Sequence, residues 1–266
     1  RCWIRKPGHG RLDLAGAMAQ SCDVYYWEVG RDKLGIERIV SYSKEFGFGA
    51  ATGLDLPGEA AGFVPTPQWK ERRFHEKWLG GDTVNLSIGQ GYLLTTPLQV
   101  ANMVAMIVNE GVIYRPHLLK EVRDPRDGSI ITRIMPEVLT ASSISKETFK
   151  RTQEDLRGVI VNGTARYPVN TKAVKVAGKT GTAEVGLADR WHSWFVGYGP
   201  YDAADPEDVI VVVAMIEATN PWEWWAPYAT NLVFQGYFAG QTYEEAAKTL
   251  GLRSEEHTSE LQSPNT

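Results

Sequence analysis

The sequence predicts an α+β domain in which helices pack on an antiparallel sheet. Helical segments dominate the chain before Gly163, three β-rich segments follow, and further helical segments close the body of the chain. The β-rich segments are joined by short connections, which favours antiparallel neighbours. A run of helices followed by a run of strands is typical of α+β domains with helices flanking an antiparallel sheet.

The length and composition set limits on what this chain can be. Its 266 residues are 43% hydrophobic, enough for a packed core in one large domain or two small ones. A net charge of −4 argues against nucleic-acid binding, which needs a basic surface. The longest apolar run, the eight residues Val209–Ile216, is far shorter than the roughly 20 that span a bilayer. Two cysteines are too few for a disulfide scaffold.

Apolar periodicity and end signals place the helices. The predicted helices are Leu14–Gln20, Val24–Leu34, Glu37–Phe46, Thr96-Pro97 to about Asn109, Ser145–Asn162, about Pro227–Ala239 and Thr242–Leu250. Gly47, Gly49 and Gly163 act as stop signals, and Pro97 suits the first helical position.

Branched and aromatic residues bounded by turn residues place the strands. The predicted strands are Val174–Val185, Trp191–Tyr198 and Val209–Glu217. The Gly- and Pro-rich stretch from Ala51 to Gly81 carries a basic cluster, interpreted as a solvated surface loop. Its members are Lys70, Arg72, Arg73 and Lys77.

The sharpest chemical signal is Lys179-Thr180-Gly181-Thr182 within a predicted strand. An ammonium, a hydroxyl and a backbone without a side chain at one strand edge could hold an extended peptide and its terminal carboxylate. Taken alone, three matching letters also fit an ordinary surface strand.

A second signal is Ser21-Cys22-Asp23, which places a hydroxyl beside a carboxylate where two helical segments meet. The alternative is a simple helix cap, with Ser21 or Asp23 capping a helix that begins at Val24.

Together the two motifs resemble parts of the penicillin-binding transpeptidases and serine β-lactamases, which use Ser-x-x-Lys, Ser-x-Asn/Asp and Lys-Thr-Gly. Four stretches resemble class B penicillin-binding proteins in the family's order: Ala19–Tyr26, Phe46–Glu59, Ser87–Ala101 and Ala177–Val185. Asp at position 23, where Asn is the alternative, is most similar to the elongation-type enzymes of rod-shaped growth. The resemblance covers 1–252, as a transpeptidase domain whose N-terminal part is missing.

The resemblance implies a serine-type D,D-transpeptidase that cross-links peptidoglycan stem peptides ending in D-Ala-D-Ala and is trapped by β-lactams. Ser21 would relay a proton to the leaving amine and Asp23 would orient that region. Lys179 would supply positive charge. Thr180 and Thr182 would bind the substrate carboxylate beside Gly181, and the Thr182 N–H would form half of an oxyanion hole.

The family's nucleophilic serine is not found in the expected place. Residues 1–20 contain no serine, so no Ser-x-x-Lys precedes Ser21. The Ser-x-x-Lys pattern does occur at Ser41 and at Ser143, but both occurrences follow Ser21 and are interpreted as coincidental. We therefore expect the nucleophile to lie upstream in the parent protein, and this chain by itself to be inactive.

Cys2, His9 and Cys22 crowd into the first 22 residues. Three interpretations remain open: a disulfide, buried free thiols beside a histidine, or a structural zinc site, since thiolates and imidazole suit zinc. The resemblance implies that some elongation-type relatives carry zinc on the motif cysteine and a histidine at the spacing of His9. The remaining ligands in those relatives are acidic, so Cys2 would be a substitution and a fourth ligand would lie upstream of Arg1. The activity itself requires no cofactor.

Aromatic residues cluster around the predicted strands. Trp191, Trp194, Trp222, Trp224 and Trp225 could line a groove, but core or edge packing of the sheet is the favoured interpretation. His192 is expected to be structural. The sequence contains no H-x-x-x-H spacing, which argues against a zinc hydrolase.

Two alternative functions stay open beside the transpeptidase. A serine β-lactamase would need a deacylating base, and the Ser21-to-Lys179 spacing is long for those compact enzymes. A non-catalytic β-lactam sensor or scaffold would keep the cleft without turnover. The resemblance implies as partners the stem peptide, β-lactams and a membrane glycosyltransferase of the elongation machinery. It also implies a membrane-anchored parent with this domain on the periplasmic side.

Both ends of the sequence look cut. Arg1 is not an initiator Met, and 253–266 resembles the in-frame translation of a DNA-sequencing adapter. A polar disordered tail is the alternative for 253–266. We expect that segment to play no part in function.

Overall fold

The computed structural model describes residues 2–4, 6–186, 188–219 and 224–252. At residues 218 and 219 it describes the backbone only. The chain divides into two compact units, Arg1–Asp155 and Leu156–Thr266. Trp222 and the predicted tail lie outside the described residues, and one domain over 1–252 stays a prediction. Among the described residues, no helix is both long and apolar enough to cross a bilayer.

The first unit is largely helical. Its helices are α1 (Leu14–Ala19), α2 (Asp23–Glu28), α3 (Gly35–Glu45), α4 (Pro67–Phe74), α5 (Gly80–Leu86) and α6 (Pro97–Val108), with a π-helical segment, Val29–Leu34, continuing α2. The predicted helices of this unit are therefore confirmed to within a few residues. The π-helical segment packs against α5 so closely that a side chain on Gly30 would meet the Ser87 hydroxyl.

The start of α6 clamps a distant loop. Thr96 caps the helix by accepting the N–H of Gln99 at 3.1 Å, and the Gln99 side chain accepts the Thr96 N–H at 3.0 Å. The Gln99 amide then donates to the carbonyls of Ala50 and Ala61, each at 2.8 Å. Pro97 occupies the first helical turn, as predicted. One buried side chain thus joins two of the stretches that carry the family resemblance.

A carboxylate holds the same loop from within. Glu59 accepts the N–H groups of Thr52 at 2.7 Å and Gly53 at 3.0 Å. Hydrogen bonding from Thr52 holds the pKa of the Glu59 carboxyl below its usual range. The loop is therefore ordered by polar contacts despite its glycine and proline content.

Most of the basic cluster predicted to be a solvated loop lies on a helix instead, and Lys77 follows that helix. α4 carries Lys70 with only 4% of its surface exposed. The Lys70 ammonium lies 2.8 Å from Asp82 and 3.5 Å from Glu76. Hydrogen bonding to Asp82 raises the pKa of Lys70. The other three members of the cluster are exposed. The predicted solvation is therefore confirmed for three members and wrong for Lys70, because folding brings its acidic partners to it.

Two small antiparallel sheets complete the first unit. β1 (Val112–Tyr114) pairs with β4 (Val138–Ala141), and β2 (Glu121–Arg123) pairs with β3 (Ile130–Arg133). These strands have three or four residues each, too few for a periodic signal, so none was predicted. Helix α7 (Lys146–Val161) follows them and ends in the second unit.

The second unit is built on one three-stranded sheet. β5 (Ala177–Glu184), β6 (Trp191–Gly199) and β7 (Ile210–Thr219) pair antiparallel in that order. Helix α8 (Trp225–Ala239) packs on β6 and β7, and α9 (Tyr243–Thr249) packs on α8. The predicted antiparallel strands and closing helices are confirmed, and so is the α+β class.

The core of this unit lies between the sheet and α8. Phe195 of β6 and Phe234 of α8 are almost fully buried. The buried Ser193 hydroxyl accepts the N–H of Ala226 at 3.2 Å, which fixes the start of α8 against the middle strand. The sheet that carries the Lys-Thr-Gly motif therefore has a rigid support.

Candidate active site

The Ser21-Cys22-Asp23 turn has an unusual backbone. Ser21 has φ +51°, the left-handed region that usually costs a non-glycine residue about 1–2 kcal/mol. Its N–H donates to the carbonyl of Met18 at 3.2 Å, and the N–H of Cys22 donates to Ala17 at 2.9 Å. Such strain is concentrated at functional sites, where surrounding structure maintains it.

The capping alternative for this motif is wrong. The N-cap of α2 is Cys22, whose side chain makes no capping hydrogen bond, and Asp23 is the first residue of the helix. A carboxylate in the first turn of a helix interacts favourably with the helix dipole. Ser21 and Asp23 thus flank the N-cap residue at one turn with a left-handed backbone.

The Lys-Thr-Gly-Thr segment lies on β5, at an edge of the described sheet. Lys179 pairs with Val196, and Thr182 pairs with Ser193, so β6 fixes the register of the motif. Within the described residues, the other edge of β5 pairs with no strand. An edge of this kind can accept an extended peptide by main-chain hydrogen bonds.

Two contacts shape the motif itself. The Lys179 ammonium donates to the carbonyl of Thr180 at 2.9 Å, and its distance to the Thr180 hydroxyl is 3.4 Å. The Thr180 hydroxyl also lies 2.8 Å from that of Thr164, in the segment after α7. Sequence reasoning missed Thr164, since only folding brings it to β5. Its hydroxyl orients that of Thr180.

The glycines of β5 are required by close packing. A side chain on Gly181 would approach the Trp194 Cβ to 3.2 Å. One on Gly178 would meet the carbonyl oxygen of Val196. Any larger residue at Gly178 must therefore displace the neighbouring strand.

The aromatic residues of this unit follow the sheet. Trp191 and Trp194 lie half-buried on β6, and Trp224 and Trp225 lie at the start of α8. His192 pairs with Ala183 of β5. Their places on strand and helix match the sequence prediction, while the roles of these residues stay predictions.

Cys2, His9 and Cys22 meet in the first unit. One ligand atom from each lies within 4.8 Å of the others, and the Cys2 Sγ is 3.5 Å from the His9 Nδ1. Both thiols are buried and free, so the disulfide interpretation is not supported. Burial raises the pKa of the Cys22 thiol, and Cys2 adds to that rise. The His9 Nε2 is buried without a hydrogen-bond partner in the described structure.

This donor set fits zinc. Two sulfurs and an imidazole nitrogen are typical ligands of that ion, and the three side chains converge with no disulfide between the thiols. The two thiols lie in a small core cluster with Ala17, against which Leu12 and two tyrosines pack.

The two downstream Ser-x-x-Lys matches lie in ordinary helical contexts. Ser41, the serine of the first match, lies exposed within α3. Ser143, the serine of the second match, lies exposed just before α7. The assignment of both matches as coincidental stays a prediction.

Comparisons with known proteins identify the family. The family model described as the penicillin binding protein transpeptidase domain matches residues 1–233. The peptidoglycan D,D-transpeptidase MrdA of Haemophilus influenzae is 36% identical over 231 residues, which cover 80% of this chain and 34% of that protein. The Escherichia coli K12 protein of the same name is 33% identical, covering 81% and 35%. This chain thus spans about a third of the length of these relatives.

Solved structures show the same fold. Pseudomonas aeruginosa PBP2 in complex with WCK 5153 superposes with a TM-score of 0.69 at 31% identity, covering 96% of this chain and 52% of that one. Helicobacter pylori PBP2 in complex with MreC gives 0.70 at 29% identity, covering 89% and 42%. Taken with the motifs on β5 and at the start of α2, these matches show that the chain belongs to the penicillin-binding protein transpeptidase family.

Proposed function

We propose that the protein containing this chain is a serine-type peptidoglycan D,D-transpeptidase, and that this chain supplies the Ser-x-Asp and Lys-Thr-Gly parts of its active site. The observation that carries the proposal is Lys179-Thr180-Gly181-Thr182 on the edge strand β5. The family match and relatives named MrdA support it.

We assign the elongation type on Asp23. Identity alone does not separate the subclasses, because the Bacillus subtilis stage V sporulation protein D is also 33% identical over 218 residues. The MrdA relatives and the PBP2 structures favour the same assignment.

The reaction is an acyl transfer through a serine ester. The serine oxygen attacks the penultimate D-Ala carbonyl, the bond to the terminal D-Ala nitrogen breaks, and that nitrogen gains the proton that the serine lost. An amine of a neighbouring stem peptide then takes the acyl group and restores the serine. The nucleophile is a serine outside these residues, so we expect no acylation of this chain alone.

The residues of this chain act around that serine. Ser21 passes the proton to the leaving nitrogen, and Asp23 orients the turn. Thr180 and Thr182 bind the substrate carboxylate, while Lys179 supplies positive charge. The Thr182 N–H stabilises the tetrahedral oxyanion, and one such donor is typically worth about 3 kcal/mol of barrier.

The same proposal extends to partners and location. The acyl donor is a stem peptide ending in D-Ala-D-Ala, and β-lactams acylate the same serine. A membrane glycosyltransferase of the elongation machinery supplies the glycan strands. The parent protein is anchored in the inner membrane, with this domain in the periplasm.

The experiment is acylation of the parent protein by a fluorescent penicillin, with release of D-alanine from a D-Ala-D-Ala pentapeptide measured in parallel. We expect Lys179→Ala to slow acylation by about 100-fold or more, and Lys248→Ala, an exposed lysine of the same unit, to leave it unchanged. Folded parent protein that neither takes up penicillin nor releases D-alanine would refute the proposal. Rapid β-lactam hydrolysis would favour a β-lactamase, and penicillin binding without D-alanine release a sensor.

We also propose that Cys2, His9 and Cys22 hold a structural zinc ion. The ion would tie the segment from Cys2 to His9 to the Ser21 turn and so stabilise its strained backbone. It takes no part in acyl transfer.

Metal content tests this assignment without relying on activity. We expect about one zinc per purified chain by mass spectrometry, lost in Cys22→Ser and His9→Ala and retained in His75→Ala, a change at an exposed histidine. A chelator should lower the melting temperature of the wild type alone. Zinc content unaffected by His9→Ala, or no zinc in the wild type, would contradict the assignment.

A further inference from the structure

The second unit contains a cavity on the side of α7 and the segment that follows it. Its volume is about 640 Å³, within the roughly 300–1,000 Å³ typical of ligand sites. The wall is formed by the end of α7, the 166–176 segment, the Pro200 turn and Phe238 of α8. None of the residues assigned to acyl transfer lines it.

The charge of this cavity is strongly positive. Arg157, Arg166, Lys172 and Lys175 line it, against one acid, Asp202. Lys175 is neutralised by Asp202 at 2.6 Å. The other three cations form no salt bridge within the described residues. Their charge contrasts with the net −4 of the whole chain, and three uncompensated cations around one cavity favour an anionic ligand.

Two of these cations lie near aromatic rings, and one of them is also fixed by a backbone carbonyl. The Arg157 guanidinium donates to the carbonyl of Val176 at 2.5 Å and lies 5.9 Å from the Tyr201 ring centre. The Arg166 guanidinium lies 5.7 Å from the Tyr167 ring centre. A preorganised guanidinium loses less conformational entropy on binding a carboxylate than a mobile one does.

The rest of the wall is apolar. Ile160 and Val169 are almost fully buried, and Val174 and Phe238 contribute further hydrocarbon surface. A small inorganic anion would leave this surface in contact with water, whereas an acidic peptide with apolar side chains would cover it.

We propose that this cavity binds an acidic peptide segment of a partner protein. Carboxylates of the segment pair with Arg157, Arg166 and Lys172. An apolar side chain between them packs against Ile160, Val169 and Phe238. The site is separate from the proposed transpeptidase chemistry and does not depend on it.

The probe is a fluorescein-labelled hexapeptide of alternating Glu and Leu, followed by fluorescence anisotropy. One control peptide replaces each Glu with Gln, and another replaces each Leu with Ser. We expect saturable binding of the first peptide, weakened about tenfold or more in both controls, because the cavity uses charge and apolar contact together. Added salt should weaken binding of the acidic peptide.

Variants locate the site. Arg166→Glu with Lys172→Glu reverses two exposed cavity cations, and we expect about tenfold or greater loss of affinity. Lys44→Glu with Lys77→Glu makes the same change in net charge at positions of the first unit that lie outside the cavity, and should alter affinity less than twofold. Circular dichroism checks folding, and Arg166→Gln with Lys172→Gln replaces the first pair if that pair does not fold.

Four results would each overturn the proposal. The first is that the acidic peptide does not bind saturably, and the second is that both double variants lose affinity equally. The third is that the Ser-substituted peptide binds as tightly as the acidic peptide and inorganic phosphate competes fully. The fourth is that the protein prefers anionic vesicles to the peptide. The third would reduce the cavity to an anion site, and the fourth would make it a lipid-binding surface.

Discussion

Replacing Gln99 by leucine should destabilise the first unit far more than a glutamine change normally does. The side chain is 1% exposed and makes three hydrogen bonds to backbone groups. Leucine keeps a similar volume and removes all three. The carbonyls of Ala50 and Ala61 and the N–H of Thr96 then lose their partner.

The contacts give the magnitude. Each hydrogen bond contributes about 1 kcal/mol net, and a buried group left without a partner costs about 1–3 kcal/mol. Three lost bonds therefore amount to about 3 kcal/mol, and leucine recovers about 1 kcal/mol by burying more apolar surface. The expected loss is therefore about 2 kcal/mol, a substantial part of the stability of an ordinary domain.

Urea unfolding followed by tryptophan fluorescence and circular dichroism measures this loss. The matched control is Gln68→Leu, the same substitution at an exposed position of α4, which should change the free energy of unfolding by less than about 0.5 kcal/mol. A loss below about 0.5 kcal/mol for Gln99→Leu, at unchanged m-value, would show that the clamp contributes nothing.

A second variant separates donor loss from packing. Gln99→Glu keeps the shape and the acceptor for Thr96 but turns a carboxylate oxygen toward two carbonyls. The carboxyl pKa in the folded state is then raised above that of the unfolded chain, so the folded state binds more protons between the two values. Stability of this variant, relative to wild type, should fall as pH rises through that window. A flat difference would contradict the geometry.

Three further predictions concern single contacts. Gly30→Ala should lower the free energy of unfolding by about 1–3 kcal/mol, because the added methyl group clashes with Ser87, although alanine is normally the better helix former. A variant that is more stable than wild type in urea unfolding would contradict the close approach. The pKa of the Glu59 carboxyl is lower in the folded state, so the stability that it contributes is present above its unfolded pKa and is lost as pH falls through its folded pKa. Glu59→Gln should therefore lower the free energy of unfolding by about 1 kcal/mol at neutral pH and by progressively less in acid. A difference between variant and wild type that does not change with pH would refute this. Thr164→Val should slow penicillin acylation of the parent protein about tenfold, because the Thr180 hydroxyl loses the partner that orients it. The melting temperature should not change, and Thr164→Ser should restore the rate. Equal rates in the Val and Ser variants would show that Thr164 has no positioning role.

Local chemistry was enough to predict much of this protein. Helix periods, Pro97 after Thr96 and the glycine stops placed most helices, because those signals act within a few residues. The β-rich composition and short connections predicted the antiparallel sheet. The Lys179-Thr180-Gly181 and Ser21-Cys22-Asp23 motifs together indicated the chemistry, since each carries its functional groups in one short unbroken segment.

Folding decided what depends on residues far apart in sequence. Lys70 is buried because Asp82 and Glu76 are brought to it, and no composition rule for loops anticipates that pairing. The short strands β1–β4 have no periodic signal and exist only as pairs.

The sequence by itself determined which chemical groups this protein has and on which elements they lie. Only the tertiary structure gave Ser21 its strained turn, joined Thr164 to Thr180 and gathered the uncompensated cations around one cavity. The physical reason is distance: hydrogen bonds and ion pairs act over a few ångströms, and chain folding alone sets which residues come that close.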